Sequence, residues 1–282
     1  LTHEEAKSRD GVQATYEKMS KSKFNGVDPT EVISEYGADS VRGSIVFQAP
    51  LNAELKWLSE QIKGVSRWLE KVMAQIDTIK NSPVSSEDKK LPLENVVFEG
   101  LNGQEFHAKF QFSAEDFTLY KAKYSYVKLV TAAIDETFTF NTIVSDFMKL
   151  TNAISSSKAS KPVIIDAYIT LLTMMAPVAP CMAEECYEAL RKAFLGVDVE
   201  WESIFNRTWP KNRKVVDLWR DIGVMVDGKK RFVLQGNSDF HKSSPEEILA
   251  SLKQFPQYDK WLGKGFENMF IKSLVVVIQT KK

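Results

Sequence analysis

Residues 58–79 read LSEQIKGVSRWLEKVMAQIDTI. The apolar positions step as Leu58, Ile62, Val65, Leu69, Val72, Ile76 and Ile79, intervals of four and three that lay one apolar stripe along a helix. A stripe of this length holds only when other elements cover it, and the downstream sequence supplies them. Tyr120, Tyr124, Val127, Val130 (or Thr131) and Ile134 mark a second long helix, whose period ends at Phe138-Thr139-Phe140. Asn141 is placed to cap a third, carrying Ile143, Phe147, Leu150 and Ile154. Pro162 opens a fourth with Ile164, Ala167, Tyr168, Leu171 and Met175. Pro177 and Pro180 interrupt it, and a fifth runs from Cys181 to Phe194. Long amphipathic helices with short joints predict a helical bundle, in a domain of residues 50–210.

Upstream, residues 1–17 are polar and lack a period. A glycine-punctuated loop leads to Asp28, a candidate N-cap, with Pro29 at the first helical position and Glu31 as the reciprocal capping-box acid. Gly37 can end that helix in a left-handed conformation, and Asp39 is placed to cap the next, Ser40 to Phe47. Residues 81–90 form a Ser/Pro/charge linker, and 91–113 are irregular. Downstream, Ile222–Val226 and Arg231–Gln235 flank Asp227-Gly228, a strong hairpin signal. Ser244-Pro245-Glu246-Glu247 opens a helix, and Phe270 to Ile278 reads as a strand. The expected fold class is mainly α, with a small α+β domain at 211–282.

Composition sets outer bounds. The 282 residues are 44% hydrophobic and 26% charged, proportions ordinary for a soluble globular protein of one to three domains. With 37 basic and 37 acidic residues the chain is not basic throughout, yet Ile222 to Lys282 holds ten Lys/Arg against six Asp/Glu, so a local basic patch stays open. Cys181 and Cys186 fall on different faces of one expected helix, which suits neither a disulfide nor a metal site, and the three histidines are scattered. No metal is expected, and the cysteine usage fits a reducing compartment. No apolar run is long enough to span a bilayer. Leu1-Thr2-His3-Glu4-Glu5 reads as a point inside a longer chain.

Lys18-Met19-Ser20-Lys21-Ser22 sets two ammonium groups and two hydroxyls within a short flexible stretch. Such a loop can close over a triphosphate, because lysines are mobile point charges that follow phosphate oxygens as their charge redistributes. Hydroxyls and loop amides add further donors. The same residues also suit a solvated surface loop, and spacing alone leaves both readings open.

The pentapeptide matches, at every position, the signature loop of the class I aminoacyl-tRNA synthetases. Phe24-Asn25-Gly26-Val27-Asp28-Pro29, then Tyr36-Gly37-Ala38-Asp39 and Arg42, extend the match. This string resembles the branch that handles leucine, isoleucine, valine and methionine. Within it, Glu54-Leu55-Lys56-Trp57, Phe138-Thr139-Phe140-Asn141-Thr142, Met175-Ala176-Pro177-Val178-Ala179-Pro180, Trp209-Pro210 and the hairpin Val224-Met225-Val226-Asp227-Gly228-Lys229 are similar to leucyl-tRNA synthetases of bacterial and mitochondrial type. The resemblance runs from about Glu17 to the end and is thinnest over 91–113. Phe24 stands where a polar residue is common, Cys181 where histidine often follows Ala-Pro, and Leu51-Asn52-Ala53 replaces a more proline- and acid-rich turn. A valyl or isoleucyl enzyme is an alternative, as is a stand-alone RNA-binding or splicing module.

The resemblance implies three parts: the ATP loop and connecting helices ending a catalytic domain at 1–49, an anticodon-binding-type helical bundle at 50–210, and a small tRNA-contacting α+β domain at 211–282. It implies that the full-length protein activates leucine with ATP, assisted by Mg2+, and transfers it to tRNA(Leu). Lys21 is the implied catalytic residue, stabilising the pentavalent phosphate, while Lys18, Ser20 and Ser22 would bind and position ATP. Lys229, Lys230 and Arg231 would contact tRNA, although lysines there can equally guard a sheet edge. The segment alone, without amino-acid and adenine pockets, is expected to be catalytically silent. A monomer with no membrane association is expected, in the mitochondrial matrix or alternatively the bacterial cytoplasm.

Overall fold

The stripe at 58–79 lies on the helix Ser59–Asn81, where Ile62, Val65, Leu69, Val72, Ile76 and Ile79 are buried. Leu58 precedes the helix and is half exposed. The structure, a computed structural model, describes residues 17–81, 96, 113–211, 220–236, 244–272 and 275–280. The irregular segment expected at 91–113 and most of the linker at 81–90 lie outside the described residues. Two compact units divide the chain, Leu1–Asn212 and Arg213–Lys282.

In the first unit, α1 (Pro29–Tyr36) and α2 (Ala38–Gln48) precede α3 (Ser59–Asn81). Then follow α4 (Ala114–Asp135), α5 (Phe140–Ser156), α6 (Lys161–Met175) and α7 (Pro180–Leu195). Helix α6 is buried along nearly its whole length, from Lys161 to Met175 with Ile164 partly covered. A helix apolar on all sides has to sit inside the bundle, and α3, α4, α5 and α7 all pack on it. Directional bonds fix the register of this core. Trp68 Nε1 donates to Thr151 Oγ1 at 2.9 Å, and Gln75 Nε2 donates to the Thr151 carbonyl at 2.8 Å. Tyr168 O–H donates to the Val72 carbonyl at 2.9 Å. Helices α2 and α3 approach closely at Gly43, where a Cβ would lie 2.9 Å from Val65 Cγ1.

Several helix starts differ from expectation. Asp28 caps α1 by accepting from the Thr30 N–H, but Glu31 makes no reciprocal bond. Helix α5 begins at Phe140 with Thr139 at its N-cap, so Asn141 lies inside the first turn. Proline preferences hold, and Pro162 and Pro180 both fall in first turns. Helix α4 carries a full capping box from Ser113 and Asp116, a Ser-x-x-Asp signal that the reading of 91–113 as irregular passed over. Gly37 adopts φ 82°, a conformation favouring glycine, and serves as the N-cap of α2. Asp39 therefore sits within α2, and its carboxylate serves the start of α7 instead.

The second unit is a four-stranded sheet of order β2-β1-β4-β3. β1 (Arg220–Val226) and β2 (Lys229–Gly236) form the expected hairpin, turning through Asp227 and Gly228 at φ 49° and 78°. Two positive φ values are what a tight hairpin turn of matching twist requires. After α8 (Pro245–Leu252) and a short α9 (Tyr258–Leu262), the strand expected at 270–278 proves to be two strands. β3 (Phe266–Lys272) pairs antiparallel with β4 (Val275–Thr280), and β4 runs parallel to β1. Ile222, Val224, Val226, Phe232, Leu234, Val276 and Ile278 form one buried face with Ile248, Leu252 and Leu262 of the helices.

Candidate functional site

The Lys18–Ser22 segment is an exposed turn braced by one side chain. Lys21–Lys23 form a single 3-10 turn, closed by Lys23 N–H to the Ser20 carbonyl at 3.1 Å. Asn25 reaches back across it: Oδ1 accepts from Ser20 N–H at 2.8 Å, while Nδ2 donates to the Lys18 carbonyl at 3.3 Å and to Glu17 Oε1 at 3.2 Å. Phe24 occupies the left-handed region at φ 51° and is 95% exposed. An aromatic residue accepts that conformation only where neighbours impose it, and the Asn25 bonds tie down both flanks.

The three lysines of this stretch are not equivalent. Lys23 pairs with Glu17 at 2.6 Å, and that contact holds the Glu17 carboxyl below its ordinary range. Lys18 and Lys21 are exposed and, among the described residues, have no carboxylate within ion-pair distance. Ser20 Oγ and Ser22 Oγ lie 2.8 Å apart, so only one of their protons is spent between them and the other can be donated outward. Ser20 and Ser22 thus meet within the turn, and Lys18 and Lys21 are exposed in the same short stretch. Sequence reading missed the brace at Asn25, although an asparagine beside glycine in a loop is the usual residue for bonding nearby backbone.

The loop joins the bundle through α1 and α2. Val32, Val41 and Ile62 form a small core, with Tyr36 and Trp57 packed on it. Asp39 Oδ2 accepts from Met182 N–H at 2.7 Å, in the first turn of α7. Arg42 donates from Nε to the Val178 carbonyl at 3.1 Å and from Nη2 to the Pro177 carbonyl at 2.9 Å. An apolar groove nearby, lined by Ile45, Ala49, Leu55, Ile134, Phe140 and Trp209, has Asp135 as the only ionisable lining residue among the described residues.

In the second unit, Lys229 and Lys230 are exposed just past the hairpin turn, the stem of Lys230 lying over Gly223 of β1. Arg231 differs from them. The strand register shifts between Val224 and Met225, leaving Arg231 unpaired in a β-bulge. Its guanidinium carbon lies 3.6 Å from the centre of the Trp261 ring, and its Nε is buried without a hydrogen bond. Asp227 ties the turn to β4, accepting from Thr280 N–H at 2.9 Å and Thr280 Oγ1 at 2.6 Å. Those bonds, with a smaller pull from Arg231, hold its carboxyl below the ordinary range. Cys181 is exposed and Cys186 buried, both free, and no cluster of three or more His, Cys, Asp or Glu occurs among the described residues.

Comparison with known proteins gives two family matches. Residues 12–58 match a family described as tRNA synthetases class I (I, L, M and V), and residues 116–237 match the anticodon-binding domain of tRNA ligase. The mitochondrial leucine–tRNA ligase of Saccharomyces paradoxus is 32% identical over 254 residues, 86% of this chain and 25% of that protein. The leucine–tRNA ligase of Prochlorococcus marinus is 29% identical over 248 residues, again 86% of this chain and 26% of that one. The chain therefore spans about a quarter of the length of the curated relatives it matches. Among solved structures, a ternary complex described as Agrobacterium radiobacter K84 agnB2 LeuRS-tRNA-LeuAMS matches with TM-score 0.53 at 22% identity, over 94% of this chain and 32% of that chain. That likeness is one of fold.

Proposed function

We propose that this chain is part of a leucine–tRNA ligase of the class I aminoacyl-tRNA synthetases, the proteins it resembles over most of its length, and that in the full-length protein Lys18–Ser22 grips the phosphates of ATP. The observation that carries this reading is the sorting of the lysines: Glu17 neutralises Lys23, while Lys18 and Lys21 stay exposed with no carboxylate partner among the described residues. In the first step the leucine carboxylate attacks the α-phosphorus of ATP and the bond to the bridging oxygen breaks, releasing pyrophosphate. Lys21 stabilises the charge that builds on the pentavalent phosphate and the departing pyrophosphate, a contribution that grows toward the transition state and so raises the rate. Lys18, Ser20 and Ser22 position the triphosphate, and Mg2+ accompanies ATP as part of the substrate. In the second step a hydroxyl of the terminal adenosine of tRNA(Leu) attacks the leucyl carbonyl and AMP leaves.

The bundle would hold the tRNA, and Lys229 and Lys230 would meet its phosphates. Backbone contacts of this kind position an RNA without reading its bases. Arg231, stacked on Trp261, would serve more to shape the hairpin than to reach outward. The yeast mitochondrial relatives support a mitochondrial matrix location, with bacterial cytoplasm the alternative, and a monomer suffices for this chemistry. The test is pyrophosphate exchange by the full-length protein across a panel of amino acids. Leucine alone should support exchange, and Lys21→Ala should slow it by roughly two to three orders of magnitude while barely changing tRNA affinity. Near-normal exchange by that variant would refute the assigned role. Exchange with valine or isoleucine instead would reassign the substrate.

A further inference from the structure

The loop's own hydrogen bonds reach only to partners within eight positions, among the described residues. Nothing in that set tells the loop where the bundle is. Among the described residues the loop leads to the bundle through α1 and α2, and α2 meets the bundle at a clasp of two charged side chains. Asp39 and Arg42 stand three positions apart, on neighbouring sites of one helical face. Asp39 is buried and bonds the amide of Met182, while Arg42 bonds the carbonyls of Pro177 and Val178. The signs are matched to the backbone they grip: the carboxylate meets the start of α7, and the guanidinium meets carbonyls just past the end of α6.

Helix α7 also needs this partner. Its N-cap, Ala179, has no side chain able to cap, so the first-turn amide of Met182 is satisfied by a residue 143 positions away. The other contacts of α2, such as Gly43 against Val65 and Val41 against Val32 and Ile62, are apolar. Apolar packing resists separation but tolerates sliding, whereas directional bonds to the backbone of Pro177, Val178 and Met182 do not.

We propose that Asp39 and Arg42 are positioning residues for the ATP loop, registering α2 against the α6–α7 turn so that the bundle sets where Lys18 and Lys21 meet the triphosphate. This rests on the reading of Lys18–Ser22 as the phosphate loop. It assigns the Ala38–Arg42 string a mechanical part in leucine activation, distinct from contact with any substrate.

The test uses the full-length enzyme, with ATP and leucine varied separately in pyrophosphate exchange. Asp39→Ala, Asp39→Asn, Arg42→Ala and Arg42→Lys are compared, with Lys21→Ala as reference and thermal melts in parallel. Arg42→Ala and Asp39→Ala should raise KM for ATP roughly three- to tenfold, an effect of misplacement, at temperatures where the melts show full folding, and leave KM for leucine unchanged. Asp39→Asn keeps an acceptor for Met182, and Arg42→Lys still reaches one carbonyl, so both should recover most of the loss. An unchanged ATP KM beside an inactive Lys21→Ala overturns the clasp alone, as does a loss that strikes leucine equally or follows the melts. Near-normal exchange by Lys21→Ala instead overturns the loop reading beneath it.

Discussion

Cys186 is buried against Met73 and Met182 in the side of the bundle, with its sulfur 3.8 and 3.6 Å from theirs. Burial among sulfur and carbon disfavours the thiolate and pushes its pKa up to about 11, outweighing the Tyr168 contact that favours it. Cys181, five positions earlier, is exposed. A thiol reagent at pH 8 should therefore label one cysteine in the folded chain and both in urea, with Cys181→Ser abolishing the native signal. Rapid native labelling of two thiols would contradict this burial. The sign of the pH effect follows from the same shift. An acid whose folded pKa is raised contributes stability that is whole below its unfolded value near 9 and lost as pH rises through about 11. Tyr168, raised by burial beyond the ordinary phenol range, acts in the same direction. The urea midpoint of the helical unit should fall between pH 9 and 11, and Cys186→Ala should flatten part of that fall. At this scale the sequence was legible where residues act locally: the Asp227-Gly228 turn and the Asp28 cap of α1 were both readable from neighbours. Asp39 was not, since its bonding partner Met182 lies 143 positions away and only folding brings the two together.

Among elements, the contact of α4 with α6 contains a charge pair that no periodicity could reveal. Lys123 looks like a solvated helix position, yet only 4% of its side chain is exposed, and its ammonium pairs with the carboxylate of Asp166, itself 8% exposed. The rings of Tyr120 and Tyr124 lie 4.8 and 4.3 Å from the Lys123 nitrogen. Desolvating two charges consumes most of what their attraction returns, so such a pair contributes little net stability and is costly mainly when broken. Lys123→Met should destabilise the helical unit by about 3–5 kcal/mol, because it removes the cation that pairs with the buried Asp166 carboxylate. Lys123→Met combined with Asp166→Leu should return to within about 1–2 kcal/mol of the parent. Equal losses in single and double variants, read from urea unfolding, would show that packing rather than charge governs this contact. The apolar stripes of α3, α5 and α7 were legible because each has a wet face and a dry one. Helix α6 was read from its proline start, and its central position had to come from the structure, since a helix buried on all sides carries no directional stripe. The β3–β4 pair was read as one strand because two apolar runs, Met269–Ile271 and Val275–Ile278, follow each other closely in the sequence.

For the whole molecule, charge is distributed by unit although the chain as a whole is neutral. Thirteen Lys/Arg against eight Asp/Glu lie from Arg213 to Lys282, so the other unit is acidic by the same margin. The two units have separate cores, and local surface potential rather than total charge decides which one meets a polyanion. Lys229 and Lys230 are the exposed cations at the hairpin tip, whereas Arg231 is bound into the fold through Trp261. The three residues, equivalent as a run of cations in the sequence, should therefore separate in experiment. Lys229→Gln with Lys230→Gln should weaken tRNA binding by the full-length enzyme and lower the slope of log affinity against log salt by roughly 0.7–0.9 for each phosphate no longer neutralised. The melting of the small unit should be unmoved, as exposed substitutions usually are. Arg231→Gln should show the opposite pattern, a lower melting temperature through removal of the Trp261 stack and little change in slope. The stack itself is worth about 0.5–2 kcal/mol, enough to register in a unit this small. A salt slope unchanged by the double lysine variant would make these side chains guards of a sheet edge, and RNA contact would then have to be sought elsewhere on the basic unit.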